Sequence, residues 1–140
     1  MKASIYRKFG MVIAATVLLG LNHLSFAQTS PIGGGYNVSA VLSDSGFVYW
    51  AGGGSASNVF IKVLAGEQTW STTGYLENIQ SMYTGAGNHI LARDCDDNVF
   101  AWGNNSHGQL GNGASGAGAG TTTPVRVLTG EQNSASGYLE

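Results

Sequence analysis

The sequence predicts an all-β repeat protein behind a short export segment, and three observations carry that prediction. Val63-Leu64-Ala65-Gly66-Glu67-Gln68 recurs as Val127-Leu128-Thr129-Gly130-Glu131-Gln132, and Gly74-Tyr75-Leu76-Glu77 recurs as Gly137-Tyr138-Leu139-Glu140. Runs rich in branched and aromatic residues alternate with Gly, Asn, Asp and Ser clusters, the pattern of strands and turns. No segment after residue 27 carries the apolar stripe of a helix.

Composition narrows the function classes. Only 10% of the 140 residues are charged, against about a quarter in ordinary domains, and 22 are glycine. A coiled coil, a charge-rich disordered tail and a basic nucleic-acid binder are excluded on that balance. A single cysteine excludes a disulfide scaffold, a zinc ribbon and a redox pair.

The first segment reads as an address. Lys2, Arg7 and Lys8 form a basic head, Phe9 to Leu21 is uncharged and almost wholly apolar, and Ser25-Phe26-Ala27 places small residues at the −3 and −1 positions. This is the three-part pattern of a secretory signal peptide, residues 1–27, cut after Ala27. The apolar run makes a helix of about 20 Å, short of the ~30 Å hydrocarbon core, so no stable membrane span is expected once the signal is removed. The chain is therefore expected outside the cytoplasm, in the periplasm or at the cell surface. Residues 28–140 keep all eight acids against Lys62, Arg93 and Arg126. An acidic chain has no electrostatic reason to hold phosphate backbones, so no nucleic-acid partner is expected. Cys95 has no second cysteine to pair with in the chain and is expected to be a half-buried residue at a strand end.

Residues 28–33 are a lead-in, followed by a degenerate repeat over 34–84 and a second repeat over 85–140 that stops inside a third connection. Strands are expected at Val38–Leu42, Val59–Leu64, Ile79–Tyr83, His89–Arg93, Val99–Trp102 and Val125–Leu128. Asp44-Ser45-Gly46 and Asp96-Asp97-Asn98 are expected to be hairpin turns. Val48-Tyr49-Trp50-Ala51-Gly52 echoes Val99-Phe100-Ala101-Trp102-Gly103 at a spacing of 51 residues. Similarity at such a period points to propeller blades or a stacked array. The segment Gly66–Tyr75 is expected to be a surface loop, and Asn112 to Thr123, small and polar throughout, a mobile loop tip. The first copy runs on from its Gly-Tyr-Leu-Glu string into Asn78-Ile79, whereas the second stops there, so the chain is expected to be a fragment of a longer array.

His89-Ile90-Leu91-Ala92-Arg93, a turn, then Val99-Phe100-Ala101-Trp102-Gly103-Asn104-Asn105-Ser106-His107-Gly108-Gln109-Leu110-Gly111 and Thr123-Pro124-Val125-Arg126-Val127 resemble the regulator-of-chromosome-condensation repeat. That repeat reads H-x-L-A-L, a D-G turn, V-x-A-W-G-x-N, G-Q-L-G-x-G and T-P-x-x-V. The resemblance covers about Gly34 to Glu140 and implies a β-propeller, typically of seven four-stranded blades, of which about two are present here. His89, Trp102, Gly103, Asn105, Gly108, Gln109, Leu110, Gly111 and Pro124 are the repeat residues it singles out, in structural roles. His89 is expected to hydrogen-bond through both ring nitrogens, and Trp102 and Leu110 to pin a hairpin against the next blade. The first copy departs from the pattern. It has Val38 where His89 stands, lacks the G-Q-L-G segment, and reads Trp50-Ala51 against Ala101-Trp102. That swap puts the two tryptophans on opposite sheet faces unless the register slips. In the second copy Arg93 replaces an apolar residue and Asp97 a turn glycine.

The residues offer little chemistry. Asp94, Asp96 and Asn98 resemble the opening of a calcium loop, but Val99 stands at the sixth place and Asn105 at the twelfth, so a plain turn is expected. His89 and His107 lack metal-ligand spacing, and no nucleophile elbow, Cys/His pair or phosphate loop is present. Glu67 and Glu131 recur as a loop feature rather than a carboxylate pair. No metal or cofactor is therefore expected. The expected function is a secreted, non-catalytic binding or structural module that recognises a protein. Two alternatives remain open: the scaffold of an exported hydrolase or lyase with its active domain downstream, and a surface adhesin array with a C-terminal anchor.

Overall fold

In the computed structural model the described residues are 32–130, apart from 54 and 56, and 137–139. The expected signal peptide lies outside them. Eight strands form two four-stranded antiparallel sheets, each a meander in sequence order. The first blade holds β1 (Ile32–Gly34), β2 (Val38–Leu42), β3 (Val48–Gly52) and β4 (Ile61–Lys62). The second holds β5 (Ile79–Gly85), β6 (His89–Asp94), β7 (Val99–Gly103) and β8 (Thr121–Arg126). No helix occurs among the described residues, and none is long and apolar enough to cross a membrane.

The strand runs differ from the expected ones mainly at the edges. β1, built from only Ile32-Gly33-Gly34, carries too little branched character to be read as a strand. It forms because Ile32, Gly33 and Gly34 pair with Val41, Ala40 and Ser39. The run Val59–Leu64 contributes only Ile61 and Lys62 to the sheet. The last strand starts earlier than expected, at Thr121, since Thr121 pairs with Gly103. Pro124 has no N–H to donate and sits on this outer strand, where a proline is tolerated.

The core lies between the blades. Val38, Ala40, Leu42, Val48 and Trp50, all on one face of the first sheet, join Met82, Ile90, Ala92, Phe100 and Trp102 on the facing side of the second in one buried cluster. Burying these side chains is the main stabilising term, at roughly 1.5–3 kcal/mol for each large one. Trp102 thus packs toward the preceding blade, not the next one as expected. The register also answers the tryptophan question. Val38 pairs with Gly52 and His89 with Gly103, without slippage, so Trp50 and Trp102 do lie on opposite faces of equivalent sheets. Leu110 and Ala101 are fully buried outside that cluster.

The segment Gly66–Tyr75 is not a free surface loop. Glu67 donates its N–H to the Pro124 carbonyl (2.9 Å) and accepts the Arg126 N–H on Oε2 (2.7 Å). Trp70 reaches Phe100, with ring centroids 5.9 Å apart, and lies under the Arg126 guanidinium at 5.5 Å. The connection leaving the first blade therefore clasps the outer strand of the second. Inside it, Gln68 closes a pair of bonds with the Glu77 backbone, Nε2 to O and Oε1 from N, both 2.9 Å.

Candidate functional site

The strand ends divide the molecule into two rims. The clasp, the Ser43–Phe47 turn and the Asp94–Asn98 turn occupy one. The other gathers the chain around Asn37, Gly53, Asn88, Asn104 and Gly120, and it carries the long excursion between β7 and β8. This second rim is the candidate site.

Its geometry is set by polar clamps rather than packing. Asn88, at a left-handed φ of 59°, accepts the Asn37 N–H on Oδ1 (2.6 Å) and the Asn104 N–H on its carbonyl (3.0 Å), tying the two blades together. Asparagine adopts that conformation more readily than most residues. Asn105 is fully buried and organises the excursion. Its Oδ1 accepts the Leu110 N–H (3.0 Å), and its Nδ2 donates to Asn112 Oδ1 (3.1 Å) and the Ala114 carbonyl (2.9 Å). The Gly116 N–H reaches the Asn105 carbonyl (3.2 Å). The stretch expected to be a mobile tip is thus tethered near its start, and its last residues, Thr121–Thr123, belong to β8.

The other repeat residues fall around this scaffold. Gly103 closes β7 at φ 105°, where a Cβ would overlap the Asn88 carbonyl oxygen, so no other residue fits there. Gly108 and Gly111 shape successive turns, with Gly108 N–H to Asn105 O and Gly111 N–H to Gly108 O. Gln109 accepts the His107 N–H on Oε1 (2.9 Å). Leu110 is the apolar anchor, and Leu128 N–H bonds to the Gly111 carbonyl (2.9 Å), joining the excursion to the end of the outer strand. Pro124 is fully buried and offers its carbonyl to the clasp. The ring of His89 lies over Gly85, and its Nδ1 is buried with no hydrogen-bond partner among the described residues, against the expectation of two bonds. The Trp102 Nε1 is likewise unpartnered.

Between these loops lies an open cleft of about 310 Å³, lined by Gly53, Asn88, Gly103, Asn104 and Gly120 together with Thr121 and Thr122. It sits at the lower bound of small-ligand pockets and has no titratable side chain in its lining. No group of three or more His, Cys, Asp or Glu side chains that could hold a metal ion occurs among the described residues. The Asp94 carboxylate is used up by its own turn, accepting the Asp96 and Asn98 N–H groups (2.9 and 3.0 Å) and both oxygens engaging Asn98 Nδ2. Asp97 takes φ 67° where a glycine was the pattern, and pairs with Arg93 at 2.6 Å on the surface. Cys95, expected to be half-buried, is exposed in this turn.

On the opposite rim one carboxylate is perturbed. Glu77 is held below the usual carboxylate range, first by the Thr72 N–H on Oε1 (2.9 Å) and then by the Thr73 hydroxyl on Oε2 (2.8 Å), with burial opposing them. Reading the sequence did not find the clasp residues Gly66, Glu67 and Trp70. The signal that marks Gly66 and Glu67 is the near-identical recurrence of the V-L-x-G-E-Q string, which does not include Trp70.

Comparison with known proteins agrees with this geometry. Two models of the regulator of chromosome condensation (RCC1) repeat match, one over residues 96–136 and one over 79–109, which together span the second blade. A chain in the crystal structure of Kap60 bound to yeast RCC1 (Prp20) is similar, with a TM-score of 0.51 and 27% sequence identity over 73% of this chain. The match covers 23% of that chain, so this protein spans under a quarter of its length. Residues 79–136, which carry the G-Q-L-G turn, thus match the RCC1 repeat, and the two sheets of four antiparallel strands in sequence order have the blade architecture of the similar RCC1 structure.

Proposed function

We propose that the chain is an exported, non-catalytic protein-recognition module that meets its partner with the asparagine-rich rim. The observation that carries this reading is the excursion 104–120. It is held from inside by Asn105, while Asn104, Ser106, His107, Gly113, Ala114 and Ser115 are exposed beside the cleft. A rim of exposed small and amide side chains on a fixed backbone offers hydrogen bonds without ordering cost, which suits a protein surface better than a small substrate. The similar yeast RCC1 chain is described as bound to Kap60, which supports protein recognition as a use of this repeat.

Export is tested by the amino terminus of the protein recovered from its own cells, which should begin at Gln28. The rim is tested by affinity capture from the source's exported proteins, with Asn104→Arg and Thr122→Arg as variants, both positions being exposed. The partner should be retained by the unaltered chain and weakened at least tenfold by either arginine. A partner held equally by all three removes the rim from the reading.

A further inference from the structure

The side-chain amide of Asn112 is poised against the backbone that follows it. We propose that Asn112-Gly113 is a self-modification site, at which the fold promotes loss of the side-chain amide and leaves a carboxylate on the excursion. This is independent of the rim's use in recognition, because the reaction lies wholly inside the chain.

The reaction needs a nucleophile, an electrophile and a place for negative charge. The nucleophile is the Gly113 nitrogen. Asn112 is the one asparagine of the sequence that precedes a glycine; every other precedes a residue whose Cβ crowds the nitrogen. Gly113 is exposed, sits at φ 81°, and its N–H makes no hydrogen bond among the described residues.

The electrophile is Asn112 Cγ, and two donors hold its oxygen. Asn105 Nδ2 lies 3.1 Å from Asn112 Oδ1, and the Ala114 nitrogen lies 3.2 Å from it. Backbone groups that can only donate fix which end of each amide is oxygen. The Ala114 N–H marks Oδ1 of Asn112, and the Leu110 N–H marks Oδ1 of Asn105, which leaves Nδ2 of Asn105 as the donor. Two N–H groups aimed at one carbonyl oxygen are the arrangement that stabilises an oxyanion. They polarise the amide and hold the charge that gathers on Oδ1 as the Gly113 nitrogen attacks. Asn105 is fully buried and anchored by Leu110, so its donor is in place before the reaction begins. The leaving nitrogen, Asn112 Nδ2, makes no hydrogen bond among the described residues.

The Gly113 nitrogen loses its proton and bonds to Cγ, the Cγ–Nδ2 bond breaks, and the proton departs on Nδ2 as ammonia. A cyclic imide remains, and water adds to one of its two carbonyls. Opening at the side-chain carbon gives aspartate. Opening at the backbone carbonyl routes the main chain through Cγ and gives isoaspartate. Aspartate keeps an oxygen acceptor for Asn105 and Ala114, whereas isoaspartate lengthens the main chain by one carbon and unties both bonds. Either product places a negative charge on an excursion that has no acidic residue between Asn104 and Gly120.

The experiment follows the freshly purified protein, in the form its cells produce, at neutral pH and a temperature below its Tm. Mass spectrometry of the peptide spanning residues 112–113 reads conversion as the replacement of an amino group by a hydroxyl. Isoaspartate is read as a peptide that elutes apart from the aspartate form. The same protein in urea gives the rate that the sequence alone supports, and the folded protein is expected to convert faster than that. Asn105→Asp keeps an acceptor for the Leu110 N–H and offers no N–H to Asn112. An oxyanion donor in an enclosed active site is worth roughly a hundredfold or more, and exposure of this loop reduces it, so the folded variant is expected to convert about fivefold more slowly. In urea the two chains are expected to convert at one rate. A folded protein that converts no faster than the unfolded one overturns the proposal without recourse to any variant. So does an Asn105→Asp chain, folded by circular dichroism, that converts as fast as the unaltered protein or faster, as a merely loosened loop would. A difference between the two chains that persists in urea also overturns it, because the effect then belongs to the sequence and not to the fold.

Discussion

Asn105→Ala removes one side chain and unties a whole excursion. Three hydrogen bonds are lost, but not at equal cost. The acceptors of Nδ2, Asn112 Oδ1 and the Ala114 carbonyl, belong to residues that reach solvent, so water replaces the amide at about 0.5 kcal/mol each. The Leu110 N–H is inside a fully buried residue, and stranding it costs about 2 kcal/mol. The sum is about 3 kcal/mol, which for a folded region of about 100 residues lowers Tm by about 12 °C or more. Thermal unfolding followed by tryptophan fluorescence reads the shift, and amide hydrogen exchange at Leu110 localises it. Asn104→Ala is the matched control. It loses only the bond from the Ser106 N–H at an exposed site and should shift Tm by a few degrees at most. A fall of less than about 3 °C for Asn105→Ala, or an unchanged exchange rate at Leu110, would refute the view that this side chain holds the loop.

Two further outcomes follow from the clasp rim. The carboxyl of Glu77 is lowered in the folded state by Thr72 and Thr73, so its contribution is present above its ordinary value of 4.5 and is lost as pH falls through the lowered one. Glu77→Gln should therefore lower the urea midpoint at pH 7 and leave it close to that of the unaltered protein near pH 3; an equal loss at both pH values would sink this. Gly66→Ala and Gly130→Ala share a left-handed backbone, which costs an alanine about 1–2 kcal/mol at either site. Only Gly66 also meets the Pro124 carbonyl. In dilute protein the Gly66 variant should be the less stable by a clear margin, and equal midpoints would show that the clasp does not bear on the outer strand.

Much of this fold is legible in the chain, and what is not has identifiable causes. The hairpins β2–β3 and β6–β7 are readable because branched residues alternate around Asp-Ser-Gly and Asp-Asp-Asn turns. β1 is not readable, because two of its three residues are glycines, which carry no strand preference, and Gly33 is there for its close approach to Thr84. The excursion after β7 reads as mobile on composition alone, since Asn112 to Thr123 has nothing to bury. Its order comes from a neighbour, Asn105, whose hydrogen bonds reach seven and nine residues along the chain. The clasp fails for the same reason in reverse: its sequence is polar and turn-rich, and the partner that orders it, Pro124 to Arg126, lies more than fifty residues away.

The tryptophan exchange shows how a departure from a repeat pattern can carry packing information. Read within one blade, Trp50-Ala51 against Ala101-Trp102 looks like erosion of the motif. The two blades do not meet through equivalent faces, however: the forward face of the first packs on the rear face of the second. Trp50 points forward from its sheet and Trp102 points back from its own, so opposite facing brings both rings into the same layer. A first blade that kept the pattern would place alanine at 50 and send its tryptophan outward at 51, trading a buried ring for a cavity, a loss of about 3–5 kcal/mol. The swap therefore concentrates both rings in the interface between the two described blades. It leaves Ala51 and Ala101 on the opposite faces of their sheets, and beside Ala101 the bulk comes from Leu91 and Tyr83 instead.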